Sequence, residues 1–316
     1  MYPIRFNPIY KDYSWGGDRI ARKYLRLDIQ GRVAESWEVS DRAEGMSVVA
    51  NGQFKGKKLR ELVDEMGENL LGKGQKYDKF PLLLKILDAK EHLSVQVGPD
   101  EESAKTLKGE PRTEMWVALE EGAVFAGLKK GAAKEEFLKA LEKGDPVEFL
   151  EKIDLKKGDT VFIPAGRIHA ICGGSLLFEV QQNSQTSYLI YDWKRIQEDG
   201  KKRQMHLKEA LIAVNWNDSF ETKTTHKRLE SDLYHQFICL GICPFFAVDR
   251  FDVFNEWRIP AIPKTFQIFF CTEGKGELTG NFETEKLLPG MTYLIPASCP
   301  SITIKGKCEI LRIRLP

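Results

Sequence analysis

The chain has 316 residues, 42% apolar and 29% charged, the make-up of a globular protein with a sizeable core in two domains or one two-lobed unit. Its 47 Lys and Arg balance 46 Asp and Glu, so a formal charge of +1 gives nucleic acid or an anionic membrane no general attraction. Apolar runs such as Leu82–Leu84 and Phe266–Cys271 fall far short of the ~20 residues of a membrane span, and Met1–Tyr10 lacks the apolar stretch of a signal peptide. A cytoplasmic location is therefore expected, with neither membrane nor nucleic acid as partner. Six cysteines (Cys172, Cys239, Cys243, Cys271, Cys299 and Cys308) include no C-x-x-C pair and mostly have apolar neighbours. They are expected as buried, reduced thiols rather than as a zinc site.

In chain order, the first helical pattern runs from Lys57 to Leu71, with Leu59, Leu62, Val63, Met66 and Leu70 on one face and Gly72 as a stop. Strands are expected at Leu93–Val97 and Met115–Leu119. A second helical stretch, from about Lys134 to Glu151, is broken near Gly144; Asp145, Pro146 and Glu148 form a cap for its second half. Strands follow at Thr160–Ile163 and Leu176–Val180, then a helix at His206–Asn215. The last strands expected are Phe245–Val248, Phe266–Phe270 and Thr292–Ile295. Many short strands between Gly and Pro turns argue for barrels or sandwiches, and no phosphate-binding glycine loop is present.

One internal repeat organises the chain. Gly158-Asp-Thr-Val-Phe-Ile-Pro164-Ala-Gly166-Arg-Ile-His169 recurs as Gly290-Met-Thr-Tyr-Leu-Ile-Pro296-Ala-Ser298-Cys-Pro-Ser301. In each copy a Gly opens a strand and a Pro-Ala-small turn closes it. The pattern resembles two cupin-like jelly-roll barrels, a mainly β fold with a few helices inserted and flanking. The expected division is 1–230 for a catalytic-type barrel with helical segments and 231–316 for a second barrel without metal ligands. Only the first copy ends in a ligand-type residue, His169; the second has Ser301. Glu114, in Arg112-Thr-Glu114-Met-Trp116, can add a carboxylate, and Gln96, in Leu93-Ser94-Val-Gln96-Val-Gly98-Pro99, an amide oxygen. Mixed N and O donors suit zinc or a related divalent ion, although a lone His is as readily a hydrogen-bonded structural residue.

Longer motifs extend over most of the chain: Tyr13-Ser-Trp15-Gly16-Gly17, Glu35-Ser-Trp37-Glu38-Val-Ser40, Asn51-Gly52, Phe80-Pro81-Leu-Leu-Leu-Lys85-Ile-Leu-Asp88-Ala89, Glu179-Val-Gln181-Gln-Asn183-Ser184 and Tyr191-Asp192-Trp193-Lys194-Arg195. With the Gln96 and His169 segments, they make the chain resemble the type I mannose-6-phosphate isomerases (phosphomannose isomerases) in their short bacterial form. The resemblance implies a pair of cupin barrels, a cytoplasmic aldose–ketose isomerase interconverting mannose 6-phosphate and fructose 6-phosphate, and one zinc ion per chain.

In that family zinc is held by a Gln-x-His pair, a Glu and a second His, which carries over as Gln96, Glu114 and His169. Gly98 stands where the family has its first His. Residues two apart on a strand face the same way, so that imidazole would have sat beside Gln96. His92 is too far along to replace it, ~13 Å away at ~3.3 Å per residue. The family also reads Tyr-Arg two residues before Tyr-Asp; here the sequence is Tyr188-Leu189-Ile190-Tyr191-Asp192, so Leu189 replaces the central Arg. The resemblance further marks Lys85 and Ser94 as pocket residues and Arg112 where Lys is usual.

An isomerase of this kind needs a base near C1 and C2, an electrophile for the developing oxyanion and cations for the phosphate. Glu179 is nominated for proton transfer, with Lys85, Arg112 and Arg195 as pocket cations and Ser94 beside the substrate. Each has a plainer reading. Lys85 could mark the solvated end of its strand, Glu179 could face solvent, Arg195 could lie on the surface, and Trp15, Trp37, Trp116 and Trp193 suggest packing rather than a sugar platform. Loss of a ligand and of the central Arg also leaves a competing reading, a sugar-phosphate-binding protein without turnover or an isomerase of another phosphosugar.

Overall fold

The computed structural model describes residues 1–316 apart from 27, 197–199, 220 and 222. Two antiparallel sheets build the first barrel. One has six strands in the order Thr160–Ile163, Glu114–Ala118, Ser175–Gln182, Leu82–Ala89, Glu35–Val39 and Ile9–Lys11. The other has five: Leu150–Leu155, Gly122–Leu128, His169–Ile171, Val95–Val97 and Tyr188–Tyr191. A ten-stranded assembly built mainly from residues 227–314 forms the second barrel. The expected pair of cupin-type barrels is present.

Period-two alternation determines what each sheet shows to each side. From the six-stranded sheet, Leu82, Leu84, Ile86, Met115, Val117, Phe178 and Val180 pack outward against Ile238, Val248, Ile268, Phe270 and Leu311 of the second barrel. The interleaved residues Leu87, Ala89, Trp116, Ala118 and Leu177 turn inward onto Val124, Ala126, Ile153 and Ile171 of the five-stranded sheet. Lys85, Glu114 and Glu179 have inward parity, which brings charge into the first barrel. The second barrel closes on Phe251, Phe269, Tyr293 and Ile310, an apolar interior.

Chain order and sheet order differ at the N-terminus. Ile4–Asn7 pairs with Thr292–Ile295, and Val48–Val49 pairs with Ile4–Asn7, so residues from the first tenth and sixth of the chain extend the second barrel's sheet. The expected boundary at 230 falls inside Lys227–Ser231, which is paired along its length with His235–Ile242. A buried ion pair fastens the two barrels. Arg26 meets Glu38 at 2.9 Å and donates to the Gly290 carbonyl at 2.9 Å; Ser36 and Thr292 hydroxyls donate to the two Glu38 oxygens at 2.6 and 3.0 Å.

Two helical expectations need correction. Lys57–Leu71 is two helices, Leu59–Met66 and Glu68–Leu71, broken at Gly67, whose φ of 48° is in the left-handed region. The stretch from 134 keeps a helix only over Lys134–Lys143. Its second half is a single 3-10 turn, Val147–Phe149, with no side-chain cap from Asp145. Leu150–Leu155 is instead a strand, because Leu150, Ile153 and Leu155 are buried while Lys152 and Asp154 are exposed, and it pairs with Gly122–Leu128. The third helix is observed at Leu207–Ala213. All six cysteines are free thiols, five of them buried.

Removing one partner of a buried ion pair strands the other in a dry interior. Glu38→Ala is expected to lower the unfolding free energy by about 3–5 kcal/mol in urea titrations. A loss below ~1 kcal/mol would mean that water already screens the pair.

Candidate active site

Cross-strand register lines up the charged groups. Across the six-stranded sheet Trp37 is opposite Lys85, Lys85 opposite Glu179, and Glu179 opposite Trp116. Directly opposed residues share a face, so these four side chains form one row on the inner wall. Lys85 Nζ lies 3.2 Å from Glu179 Oε1 and 3.6 Å from Glu35 Oε2. Trp116 Nε1 donates to Glu179 Oε2 at 2.9 Å, and Trp37 Nε1 to Glu35 Oε2 at 2.6 Å. These two tryptophans therefore hold the carboxylates as well as pack. Lys85 is 2% exposed in mid-strand, which rules out the solvated-end reading.

The facing sheet has a second row, Ala126, His169, Gln96 and Leu189, each opposite the next. His169 Nδ1 donates to the Arg167 carbonyl at 2.9 Å, which points Nε2 inward. Nε2 lies 3.0 Å from Glu114 Oε1; both atoms are fully buried and neither makes a hydrogen bond. Two electron-pair donors facing each other in this way suit a cation shared between them. The backbone carbonyl behind His169 is the usual orienting partner of a ligand imidazole. Gln96 is the row neighbour of His169, and its Oε1 accepts from the Ser187 hydroxyl at 2.6 Å. Among the described residues no third imidazole, thiol or carboxylate joins them. The donor set is thus one imidazole, one carboxylate oxygen and one amide, which fits a divalent ion with positions left for water or substrate.

Gly98 has no need of glycine's backbone freedom, since its φ is not in the left-handed region. Its reason is contact: a Cβ there would lie 2.9 Å from both Cβ and the carbonyl oxygen of Arg112. The Arg112 guanidinium bonds Glu114 Oε2 at 2.8 Å and lies 3.9 Å from Glu179, so it links the two inner carboxylates of the six-stranded sheet. His92 lies outside, stacked on Trp193 with ring centroids 4.5 Å apart, and is no substitute ligand.

Electrostatics divide the two inner carboxylates. Burial opposes the charge of Glu114, but Arg112 and His169 more than offset it and hold the carboxyl well below the usual range. Burial dominates at Glu179, and the neighbouring Glu114 adds to it, so this carboxyl is raised despite Lys85 and Arg112. Lys85 is kept charged by Glu35 and Glu179 against the cost of its burial. The same cavity thus favours the anionic form of Glu114 and disfavours that of Glu179.

Above this floor opens a cavity of about 900 Å³ whose lining includes Lys85, Ser94, Gln96, Arg112, Glu179 and Arg195. All eight residues singled out in the sequence therefore converge, Glu114 and His169 lying beneath the lining. Arg195 is in the cavity wall rather than on the outer surface. The sequence reading missed Arg203 and His206, which also line it, and gave Glu35 no role. Glu35 had a signal, its place in the Glu35-Ser-Trp37 motif; Arg203 had none beyond its basic surroundings.

Comparison with known proteins agrees with this geometry. The model of the phosphomannose isomerase type I catalytic domain matches residues 4–121, and that of the mannose-6-phosphate isomerase cupin domain matches 239–315. Mannose-6-phosphate isomerase ManA of Bacillus subtilis is 32% identical over 98% of both chains. The chain belongs to the type I phosphomannose isomerase family. The crystal structure of a mannose 6-phosphate isomerase from Bacillus subtilis superposes with a TM-score of 0.91 at 30% identity, covering 99% of each chain. A mannose 6-phosphate isomerase bound with zinc and yttrium shares the fold at 16% identity, with a TM-score of 0.77 over 99% of each chain. No helix among the described residues is long and apolar enough to cross a membrane.

The packing at Gly98 gives a direct test. Gly98→Ala forces its Cβ onto Arg112 and is expected to cost about 1–3 kcal/mol in thermal or urea unfolding, the range for overpacked sites. An unchanged midpoint would mean that the two segments separate freely.

Proposed function

We propose that this chain interconverts mannose 6-phosphate and fructose 6-phosphate, with Glu179 moving the proton between C2 and C1. The observation that carries this reading is the buried Glu179, held by Lys85 and Trp116 on the cavity wall and raised in pKa, near the facing, unbonded Glu114 Oε1 and His169 Nε2. In the forward direction Glu179, ionised, takes the C2 proton. The C2–H electron pair becomes the C1–C2 double bond and the carbonyl pair moves onto O1. Protonation of O1 gives the enediol. Loss of the O2 proton to water, which balances the proton that water gave to O1, then returns the electron pair through C2 to C1, which takes the proton back from Glu179 and leaves the C2 ketone.

Each neighbouring group has a definable task. A carboxyl raised above the ordinary ~4.3 is a stronger base than a free carboxylate. Lys85 steadies the carboxylate, and with Arg112 it keeps positive charge beside the oxygens on which charge develops. Gln96, Glu114 and His169 would hold one divalent ion, and zinc suits this donor set. Such an ion supplies positive charge at the sugar's O1–O2 edge. The first barrel holds these groups, and the second, built mainly from residues 227–314, supplies none of them. Free cysteines suit a reducing, cytoplasmic setting.

A chain without turnover is the less favoured reading, because the base, its counter-ion and three donors all survive beside Gly98 and Leu189. The test is a coupled assay from mannose 6-phosphate to fructose 6-phosphate on chelator-stripped protein with and without added zinc. Zinc-dependent turnover is expected, and Glu179→Gln, assayed at a temperature where the variant is folded, should lower kcat by roughly 10²–10⁴-fold. No turnover by folded, zinc-supplied protein would reject the proposal.

The pH profile tests the assigned base separately. Activity should fall as pH drops through the raised pKa of Glu179. Trp116→Phe deletes a donor to the charged carboxylate, which disfavours the ionised form and raises that pKa further. The acid limb of kcat/KM should move up by about one pH unit, the equivalent of one charged hydrogen bond. A limb that stays in place would remove Glu179 from the role of base.

A further inference from the structure

Position 189 has leucine on the cavity wall, yet the segment that crosses it brings in another cation. His206 N–H donates to the Leu189 carbonyl at 2.8 Å, and Leu189 N–H donates to His206 Nδ1 at 3.3 Å. This pairing fixes the strand-like approach to the Leu207–Ala213 helix against position 189. Arg203, three residues earlier, then reaches over the wall and donates from Nη1 to Ser94 Oγ at 3.1 Å. Arg195 Nη2 donates to the same oxygen at 3.4 Å, and Ser94 Oγ donates to Asp192 Oδ1 at 2.5 Å. The serine hydroxyl thus has its one proton and both lone pairs in use, and two guanidinium groups are held side by side. Asp192 pairs with Arg195. Arg203 has no carboxylate partner among the described residues. Among the described residues Asp192 is thus the only carboxylate that pairs with either guanidinium group, and both arginines line the cavity wall.

Ser94 is two residues before Gln96, about 7 Å along the strand direction and on the same side. Gln96 is in turn the direct neighbour of Leu189. The arginine pair is therefore displaced from the donor row toward the cavity mouth, away from Glu179 and the Glu114–His169 pair. A phosphosugar that presents C1 and C2 to that floor extends its phosphate outward. Paired guanidinium forks match the oxygens of a phosphate monoester, whereas a lone lysine acts as a point charge.

We infer that Arg203, together with Arg195 and positioned by Ser94, forms the subsite for the phosphate monoester of the substrate, and that Arg203 supplies the cation which Leu189 lacks. This rests on the isomerase reading for the identity of the substrate but not for the presence of the subsite. Two measurements on the full chain separate them: calorimetric binding of inorganic phosphate at fixed ionic strength, and steady-state kinetics with mannose 6-phosphate. Arg203→Ala should weaken phosphate binding and raise KM by about 10- to 100-fold each, the size of one charge-assisted contact, with kcat changed only a few-fold. Arg203→Lys should fall between the two. Leu189→Arg added to Arg203→Ala should recover part of the lost affinity, because it returns a cation to the same wall. Arg203 is exposed, so the melting curve of the alanine variant should match the parent. Phosphate affinity and KM both unchanged in Arg203→Ala would overturn the subsite. A parent protein that binds phosphate through Arg203 but turns nothing over would uphold the subsite and reject the isomerase.

Discussion

The Lys85–Glu179 ion pair is the constraint around which the first barrel is organised. Taking both charges out of water is costly, and a single contact at 3.2 Å does not repay it unless the remaining valences are also met. Glu35 meets the far side of the ammonium, Trp116 the second carboxylate oxygen, and Arg112 links Glu179 to Glu114. Because Arg112 takes Glu114 Oε2, the other oxygen is left facing His169 Nε2. The donor pair is thus oriented by the same charge network that holds Glu179. The base and the metal pole belong to one electrostatic structure, built on sheet parity that sends every second residue inward.

Much of this was legible in the sequence, and the rest was hidden for physical reasons. Thr160–Ile163 and Thr292–Ile295 end where the repeated Gly and Pro-Ala punctuation predicts. Leu82–Ala89 was harder to interpret, because all eight residues are buried: one face meets the second barrel and the other the cavity. With no polar face to give contrast, alternation could not say whether Lys85 pointed inward or marked a strand end. The strand Leu150–Leu155 was misread for a similar reason, since Leu150, Ile153 and Leu155 follow the cap-like residues Asp145, Pro146 and Glu148. The pairing of Ile4–Asn7 with Thr292–Ile295 spans nearly the whole chain and leaves no local trace. Arg203 is in a basic stretch where the same composition serves a solvated surface equally well.

The two departures from the family pattern are connected through geometry. Gly98 and Leu189 belong to neighbouring strands that share the donor row, and each has an arginine from elsewhere beside it. At 98 the absent side chain leaves space that Arg112 fills, its Cβ and carbonyl oxygen lying 2.9 Å from where a Cβ would be. At 189 the backbone bonds to His206 bring Arg203 to the wall. On the proposed reading, two guanidinium groups held by carboxylate and hydroxyl partners stand beside the positions where the resemblance implies an imidazole and an arginine.

That arrangement has a direction. A guanidinium 2.8 Å from Glu114 draws electron density from the carboxylate that would also serve a metal, and repels a second cation nearby. Removing a neutral donor at 98 weakens the metal pole again. Both changes shift the balance of positive charge from an exchangeable ion toward covalently attached side chains that need no loading. Lys85 and Trp116, the partners of Glu179, come from strands that neither substitution touches. The immediate partners of Glu179 are thus untouched by the substitutions on the facing sheet, while Arg112 still couples it to Glu114.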